Sequence, residues 1–331
     1  MPIDAFHGWY AESVADLPEW RELSAAQLPE GDVLVWVEYS DLNYKDALAM
    51  TGRGKILRSA PIVPGIDFAG TVVESHATEF RAGDKVLATG HGLGESHSGG
   101  YAEYARVPAG FLLPLPDGFD TRRAMAMGTA GVTAALCAME LERHGVKPGD
   151  GPAVVSGSTG GVGSVAVALL AAAGFSVTAV TGRPEHERRL RELGAAEAIP
   201  RERLSELKRP LERGEWAAGV DTVGGKILAG MLASMKPHGA IAACGLAGSA
   251  TLETTVFPFI LRNVALLGVE SVTASRELRA EAWKRLASQV PWEKFEGLIS
   301  EVSLAQAREA SGEMLDGKRW GRVVVRVNPD V

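Results

Sequence analysis

The chain has 331 residues, 46% of them hydrophobic, enough for more than one buried core, so two domains are expected. A net charge of −7 with acids and bases interleaved argues against a nucleic-acid surface or a polybasic membrane face. Two cysteines far apart in sequence, Cys137 and Cys244, exclude a disulfide framework and fit a reducing, cytoplasmic setting. Asp4, Glu12 and Asp16 interrupt the opening residues where an export signal needs an apolar core.

In chain order, GDVLVWVEY at 31–39 starts with a turn and continues as a strand. Further strands are expected at 68–75, 83–90 and 100–108, all short and glycine-punctuated, so the first third reads as a mostly antiparallel β domain. From residue 121 a helical stretch, interrupted by a glycine-rich turn, runs to Gly145. Strands at 153–157, 176–180 and 196–199 then alternate with helices at 161–173, 185–194 and 201–212. GVDTVG, a helix at 226–235 and strands in GAIAACG and VALLGVES continue the alternation, which implies a parallel sheet covered on both faces. The strand GRVVVRV at 321–327 is expected to return to the first domain. The domain expectation is therefore 1–122 with 296–331 for the β domain and 123–295 for the inserted nucleotide domain.

The segment AVVSGSTGGVGSVAVALLAAAG places Ser158, Thr159, Gly160, Gly161, Val162 and Gly163 between a strand and the next helix. Small residues there let the backbone approach a pyrophosphate, whose charge meets unpaired helix N–H groups. The spacing is displaced from GxGxxG, so the surrounding β-α alternation carries the reading. At the end of the next strand stand Thr181, Gly182 and Arg183, where an NAD site usually has an acid; with Arg201 after the third strand, this set suits a 2'-phosphate and favours NADPH. The alternative is that the arginines decorate the sheet edge. ACGLAG at 243–248 either passes the nicotinamide half or is a simple turn, and residues 264–270 either pair across a dimer axis or are buried within one subunit.

No CxxC pair is present, and the loop HGLGESHSGG, with His91, Glu95 and His97, reads as a solvent-exposed loop; no metal is expected. Donors for a developing oxyanion are sought in SDLNYKDAL, where Asn43 and Tyr44 offer an amide and a phenol. Asn43 as a helix cap, and Lys45 and Asp46 as surface charges, are the structural alternatives. Asp67 reads as a turn acceptor.

NYKDALAMTGRG, PIVPGIDFAGTVVES, GTAGVTAAL, VSGSTGGVGSVAVALLAAAG, VTGR and FILRNVALLGVESV together resemble the zinc-free medium-chain dehydrogenase/reductase superfamily, most closely its acryloyl-CoA reductase (NADPH) family, related to quinone oxidoreductases. The resemblance implies a GroES-like β domain, a Rossmann domain, a dimer, and reduction of acryloyl-CoA to propanoyl-CoA. It also implies Tyr44, 158–163, Thr181, Gly182, Arg183, Arg201, Leu246, Ile260 and Ser271 as cofactor-binding positions. Asp41 stands where zinc alcohol dehydrogenases carry a catalytic cysteine. The basic residues Arg53, Lys55 and Arg58 either meet coenzyme A phosphates or form a solvated loop. The rival functions are an NADPH:quinone or general enone reductase and a noncatalytic NADPH-binding protein.

Overall fold

A computed structural model describes residues 5–329, which divide into two units. The first unit opens with β1 (Phe6–Tyr10) and β2 (Glu19–Leu23), an antiparallel pair. Then come β3 (Val33–Asp41), α1 (Tyr44–Thr51), β4 (Asp67–Ser75), β5 (Lys85–Thr89), β6 (Tyr104–Val107) and β7 (Leu112–Pro114). β3 is buried along almost its whole length because both faces are covered, so its sequence reads as a near-continuous apolar run. It pairs antiparallel with β4 and with β6, and two register shifts against β4 bend it between those partners.

α2 (Thr121–His144) follows as two helical segments that meet at Gly128, whose φ 50° and ψ −154° are not helical. The expected glycine-rich interruption is thus a single residue. A Cβ there would stand 2.0 Å from Asp41 Oδ2, so glycine is required by contact as well as by its dihedrals. α2 is long and apolar enough to cross a membrane, but 89% of its most apolar window is buried inside the protein.

The second unit contains β8 (Ala153–Val155), α3 (Gly161–Ala172), β9 (Val177–Thr181), α4 (Glu187–Glu192), β10 (Ala195–Pro200), α5 (Glu202–Ser205), β11 (Trp216–Asp221), α6 (Gly225–Ala233), β12 (Met235–Ala243), α7 (Phe257–Arg262) and β13 (Ala265–Gly268). Its six strands are all parallel, in the order β10-β9-β8-β11-β12-β13. The order reverses at β8 and β11, and in such doubly wound sheets ligands bind beyond the strand ends at that switch point. The charged helix expected over 201–212 shrinks to α5. Glu206 leaves helical dihedrals (φ −116°, ψ 62°), and the Glu212 carboxylate accepts the Lys208 and Arg209 N–H groups instead.

The chain ends with α8 (Arg276–Gln289), α9 (Trp292–Phe295), β14 (Ile299–Ser303), α10 (Ala307–Leu315) and β15 (Arg322–Arg326). β15 pairs antiparallel with β3 in the first unit, as expected for GRVVVRV, and parallel with β14, the one parallel pair in that sheet. The units divide at Thr129 and Ala130 rather than at 122, and Val272–Glu281 belongs to the first unit. Hydrogen bonds explain the shift. Thr129 donates to Asp67, Arg322 donates to the Ala126 carbonyl, and Val272 accepts from His91 N and from Arg279. Each unit keeps its own apolar core.

Candidate active site

In the second unit the turn after β8 is built so that α3 opens at the strand ends. Gly157 has φ 58°, and a Cβ on it would lie 2.3 Å from Thr222 Oγ1. A Cβ on Gly163 would lie 2.3 Å from the Gly157 carbonyl oxygen, which is why the helix can start only with glycine there. Gly160 is the N-cap, and intrahelical bonding begins with Ser164 N to Gly160 O, so Gly161, Val162 and Gly163 present first-turn N–H groups. This is a cradle that fits a pyrophosphate. Ser158 is fully buried and its hydroxyl donates to the Val155 carbonyl at 2.7 Å; it shapes the turn with its side chain.

The corner at the ends of β9 and β10 collects the second predicted group. Thr181 and Pro200 are in register, Arg201 N donates to Thr181 O, and Thr181 Oγ1 accepts the Arg183 N–H at 3.0 Å. The Arg201 side chain arches over Gly182, within 3.2 Å of where a Cβ would sit. It stays 66% exposed and, among the described residues, its one ion-pair partner is the neighbouring Glu202 at 3.1 Å. Leu246 and Ile260 are largely exposed, on the loop after β12 and on α7, and Ser271 Oγ is hydrogen-bonded to Thr133 Oγ1 at 2.9 Å.

Sequence reasoning missed Asp221 and Ser156. Asp221, at the end of β11, accepts from Ser156 Oγ at 2.6 Å and from the Gly224 N–H at 2.8 Å, while Ser156 Oγ accepts from Thr222 N. The acid therefore ties together the two strand ends that flank the switch point. Burial pushes its carboxyl up, and these hydrogen bonds oppose the shift. Cys244, just after β12, donates to the Asp221 carbonyl, and its thiol together with burial pushes the Cys137 thiol up, so the two cysteines far apart in sequence are neighbours.

In the first unit, β3 ends in a buried polar network. Asn43 donates from Nδ2 to Asp41 Oδ1 at 2.7 Å and to Asp67 Oδ2 at 2.9 Å, and its Oδ1 accepts from Arg322 at 3.3 Å. Arg322 also pairs with Asp41. Asp67 further accepts from the N–H and hydroxyl of Thr129, both at 2.6 Å, so it is a hub rather than a turn acceptor. Burial above all pushes Asp41 well above the usual carboxylate range, the Asp67 charge adds to this, and Arg322 opposes it. Asp41 thus faces a guanidinium of the same chain. No group of three His, Cys, Asp or Glu suited to a metal ion occurs among the described residues.

Asn43 is 8% exposed with both amide hydrogens committed inward, so in this conformation it offers no donor to a substrate. Asn43 is the N-cap of α1, and Asp46 at the third helical position completes a capping box by accepting the Asn43 N–H at 2.9 Å, while its other oxygen accepts the Ile66 N–H at 2.9 Å. Asp46 is buried, not a surface charge, and burial raises its pKa to about 7. Tyr44, the first residue of α1, is 51% exposed. The loop with His91, Glu95 and His97 is not solvent-exposed throughout. Glu95 is 6% exposed and ion-paired to Lys45 at 2.6 Å, and His91 stacks on Phe111 at 4.4 Å, its pKa lowered to about 4 by burial and by Arg279.

An antiparallel β unit built from both chain ends and a glycine-opened parallel sheet define a two-part dehydrogenase/reductase. Residues 29–117 match the family model for the alcohol dehydrogenase GroES-like domain and 161–288 that for zinc-binding dehydrogenases. The chain is 52% identical to a probable acrylyl-CoA reductase AcuI of Escherichia coli K12, over 93% of this chain and 95% of that one. It is 50% identical to the acrylyl-CoA reductase AcuI of Ruegeria pomeroyi, over 93% and 94%. The crystal structure of E. coli K-12 YhdH with bound NADPH superposes with a TM-score of 0.92 at 50% identity, covering 98% of this chain and all of that one. The chain belongs to the acrylyl-CoA reductase/quinone oxidoreductase family, in the zinc-independent part of the medium-chain dehydrogenase/reductase superfamily.

Proposed function

We propose that this protein reduces the carbon-carbon double bond of acryloyl-CoA to propanoyl-CoA with NADPH. The near-full-length likeness to acrylyl-CoA reductases carries the reading. The local geometry supports its cofactor half. The α3 N-terminus suits the pyrophosphate, and Thr181, Gly182, Arg183 and Arg201 suit a 2'-phosphate better than a bare ribose, which an acid would bind. When bound, NADPH supplies the hydride that the β-carbon accepts.

Negative charge then develops on the thioester oxygen as an enolate, and groups that bind this charge better than the neutral carbonyl lower the barrier. Tyr44, exposed at the start of α1, is the donor that the first unit's candidate segment offers, with the first N–H groups of α1 beside it in sequence. Asn43 acts through them. Its two carboxylate contacts hold the β3-to-α1 turn so that Tyr44 is placed without searching. The α-carbon takes a proton from solvent or from the Tyr44 hydroxyl, which balances the reaction.

A homodimer through the edge strand β13 and a cytoplasmic location are part of the proposal. Both cysteines are free thiols, as a reducing compartment favours. The test is NADPH oxidation by the purified protein with acryloyl-CoA and with a simple quinone at matched concentrations, the products followed by mass. Conversion to propanoyl-CoA with weak quinone turnover is expected; preference for the quinone would overturn the thioester assignment.

A further inference from the structure

The segment that follows Tyr44 carries a surplus of positive charge on a chain whose net charge is −7. Its cations outnumber the carboxylates they face. Lys45 and Arg58 share one acid, Glu95, at 2.6 and 3.8 Å, and Arg53 and Lys318 share another, Asp316, at 2.8 and 3.5 Å. Lys55 is exposed and has no ion-pair partner among the described residues. The neighbouring Arg319–Glu313 pair, at 2.6 Å, adds no net charge. Asp46 faces the interior and offsets none of this surface charge.

The backbone beneath these side chains is held in place. Gly52, φ 69°, ends α1 in the left-handed conformation. Both Arg58 N and Ser59 N donate to the Glu95 carbonyl, and Ser59 Oγ donates to the Ser96 carbonyl at 2.8 Å. The basic stretch is thereby fastened to the turn that also supplies the Glu95 carboxylate. The stretch begins one α1 length beyond Tyr44, eight residues from Tyr44 to Thr51 and a rise of about 12 Å along the helix axis.

Resting on the proposed thioester reduction, we infer that Lys55 and Arg58, framed by Arg53, form the site that takes the 3'-phosphorylated adenosine diphosphate end of coenzyme A. The substrate's reacting acyl group has only three carbons and offers little binding area. Its other end is polyanionic, and the neutral pantetheine arm lies between. Binding at such a remote end serves to position the reacting end. Lys55 meets a phosphate without first breaking an ion pair, and Arg58, whose fork geometry suits phosphate oxygens, gives up only a 3.8 Å contact to an acid that Lys45 already pairs with at 2.6 Å.

The test is steady-state kinetics of Lys55→Ala/Arg58→Ala with acryloyl-CoA and with acryloyl-pantetheine, which has the thioester but no phosphates. The KM for acryloyl-CoA is expected to rise about tenfold or more with kcat held, since the double variant removes both charged contacts to the phosphates. The parameters for acryloyl-pantetheine and the KM for NADPH should not move, and Arg58→Lys should recover part of the loss. The wild-type KM for acryloyl-CoA should climb with ionic strength more steeply than that of the double variant. An unchanged KM for acryloyl-CoA, or an equal loss with both thioesters, would overturn the inference. Should the wild type reduce neither thioester, the reduction reading fails by itself. Calorimetric titration with coenzyme A then decides the site: weaker binding by the double variant supports it, and equal binding refutes it.

Discussion

A single amide nitrogen, Nδ2 of Asn43, stands between Asp41 Oδ1 at 2.7 Å and Asp67 Oδ2 at 2.9 Å and so joins the end of β3 to the start of β4. Replacing Asn43 with alanine leaves two buried carboxylates without that donor and removes one of the acceptors of Arg322, which keeps Asp41 and the Ala126 carbonyl. A loss of about 1–3 kcal/mol is expected for a buried group left unpaired. Asn43→Asp keeps the shape but adds a carboxyl to the same network, so above neutral pH it should destabilise more than Asn43→Ala. Urea unfolding of the three proteins at pH 8 checks the order. Equal midpoints would show that the network does not hold the turn.

Asp46 gives the fold a pH dependence of known sign. Its folded pKa of about 7 lies above the ordinary 3.8, so the folded chain holds this proton more tightly than the unfolded chain. The resulting stability is fully present below pH 4 and is lost as pH rises towards 7, with an upper bound on the order of 4 kcal/mol. Asp46→Asn cannot lose a proton and keeps one carbonyl for the Asn43 or Ile66 N–H, but not both. It should be less stable than wild type at pH 5, and the gap should narrow by pH 8. Parallel urea midpoints across that range would show that Asp46 is not the group that titrates.

The nucleotide half was legible because its constraints are local. Gly157 and Gly163 are demanded by atoms a few residues away or by backbone dihedrals, and Thr181-Gly182-Arg183 stands at the end of a strand that its own composition marks. The reactive half was legible only as a segment. What Asn43 does depends on Asp67, 24 positions on, and on Arg322, 279 positions on, and no local pattern links them. For the same reason Asp46 read as a surface charge and the Glu95 loop as exposed; their burial comes from Ile66 and Lys45, contacts that only the folded chain creates. The charged run after Arg201 carries a helix only as far as Ser205, since Glu212 caps a turn there instead of extending it.

Arg183 and Arg201 should set the choice between the nicotinamide cofactors. Removing either guanidinium takes away a charge-assisted contact to the 2'-phosphate and nothing that NADH uses, so Arg183→Ala and Arg201→Ala should each raise the NADPH KM about tenfold or more while leaving the NADH KM nearly unchanged. Kinetics with both cofactors at fixed acryloyl-CoA measure this. A parallel rise for NADH would mean that the arginines support the sheet edge rather than the phosphate.

Tyr44 separates the two ways an aromatic residue can serve at such a position. If the hydroxyl donates to the developing enolate, Tyr44→Phe should lower kcat by about 10²-fold with little change in either KM, the scale seen when one oxyanion donor is removed. Tyr44→Ala should add a rise in the NADPH KM through lost ring contact. Since the side chain is 51% exposed and anchored only by the backbone of α1, neither change should shift the urea midpoint by more than about 0.5 kcal/mol. A fully active Tyr44→Phe would pass the donor role to the N–H groups of the helix's first turn.

The edge of the parallel sheet carries the oligomer prediction. β13 is the last strand in its order, and Leu266 on it is 36% exposed, while Phe257, Ile260 and Leu261 of the adjoining α7 are 41%, 67% and 63% exposed. An unpaired edge beside exposed apolar side chains is a surface that a second copy can cover, with β13 pairing to its equivalent about a two-fold axis. Leu266→Glu combined with Leu261→Glu would bring four like charges together in such a dimer, counting both copies, while touching little inside one subunit. Light scattering should show a dimer for the wild type and a monomer for the double variant, with the parallel sheet still folded by circular dichroism. A variant that remains dimeric would move the interface elsewhere on the chain and leave this apolar edge to another role, such as lining the cofactor through Ile260.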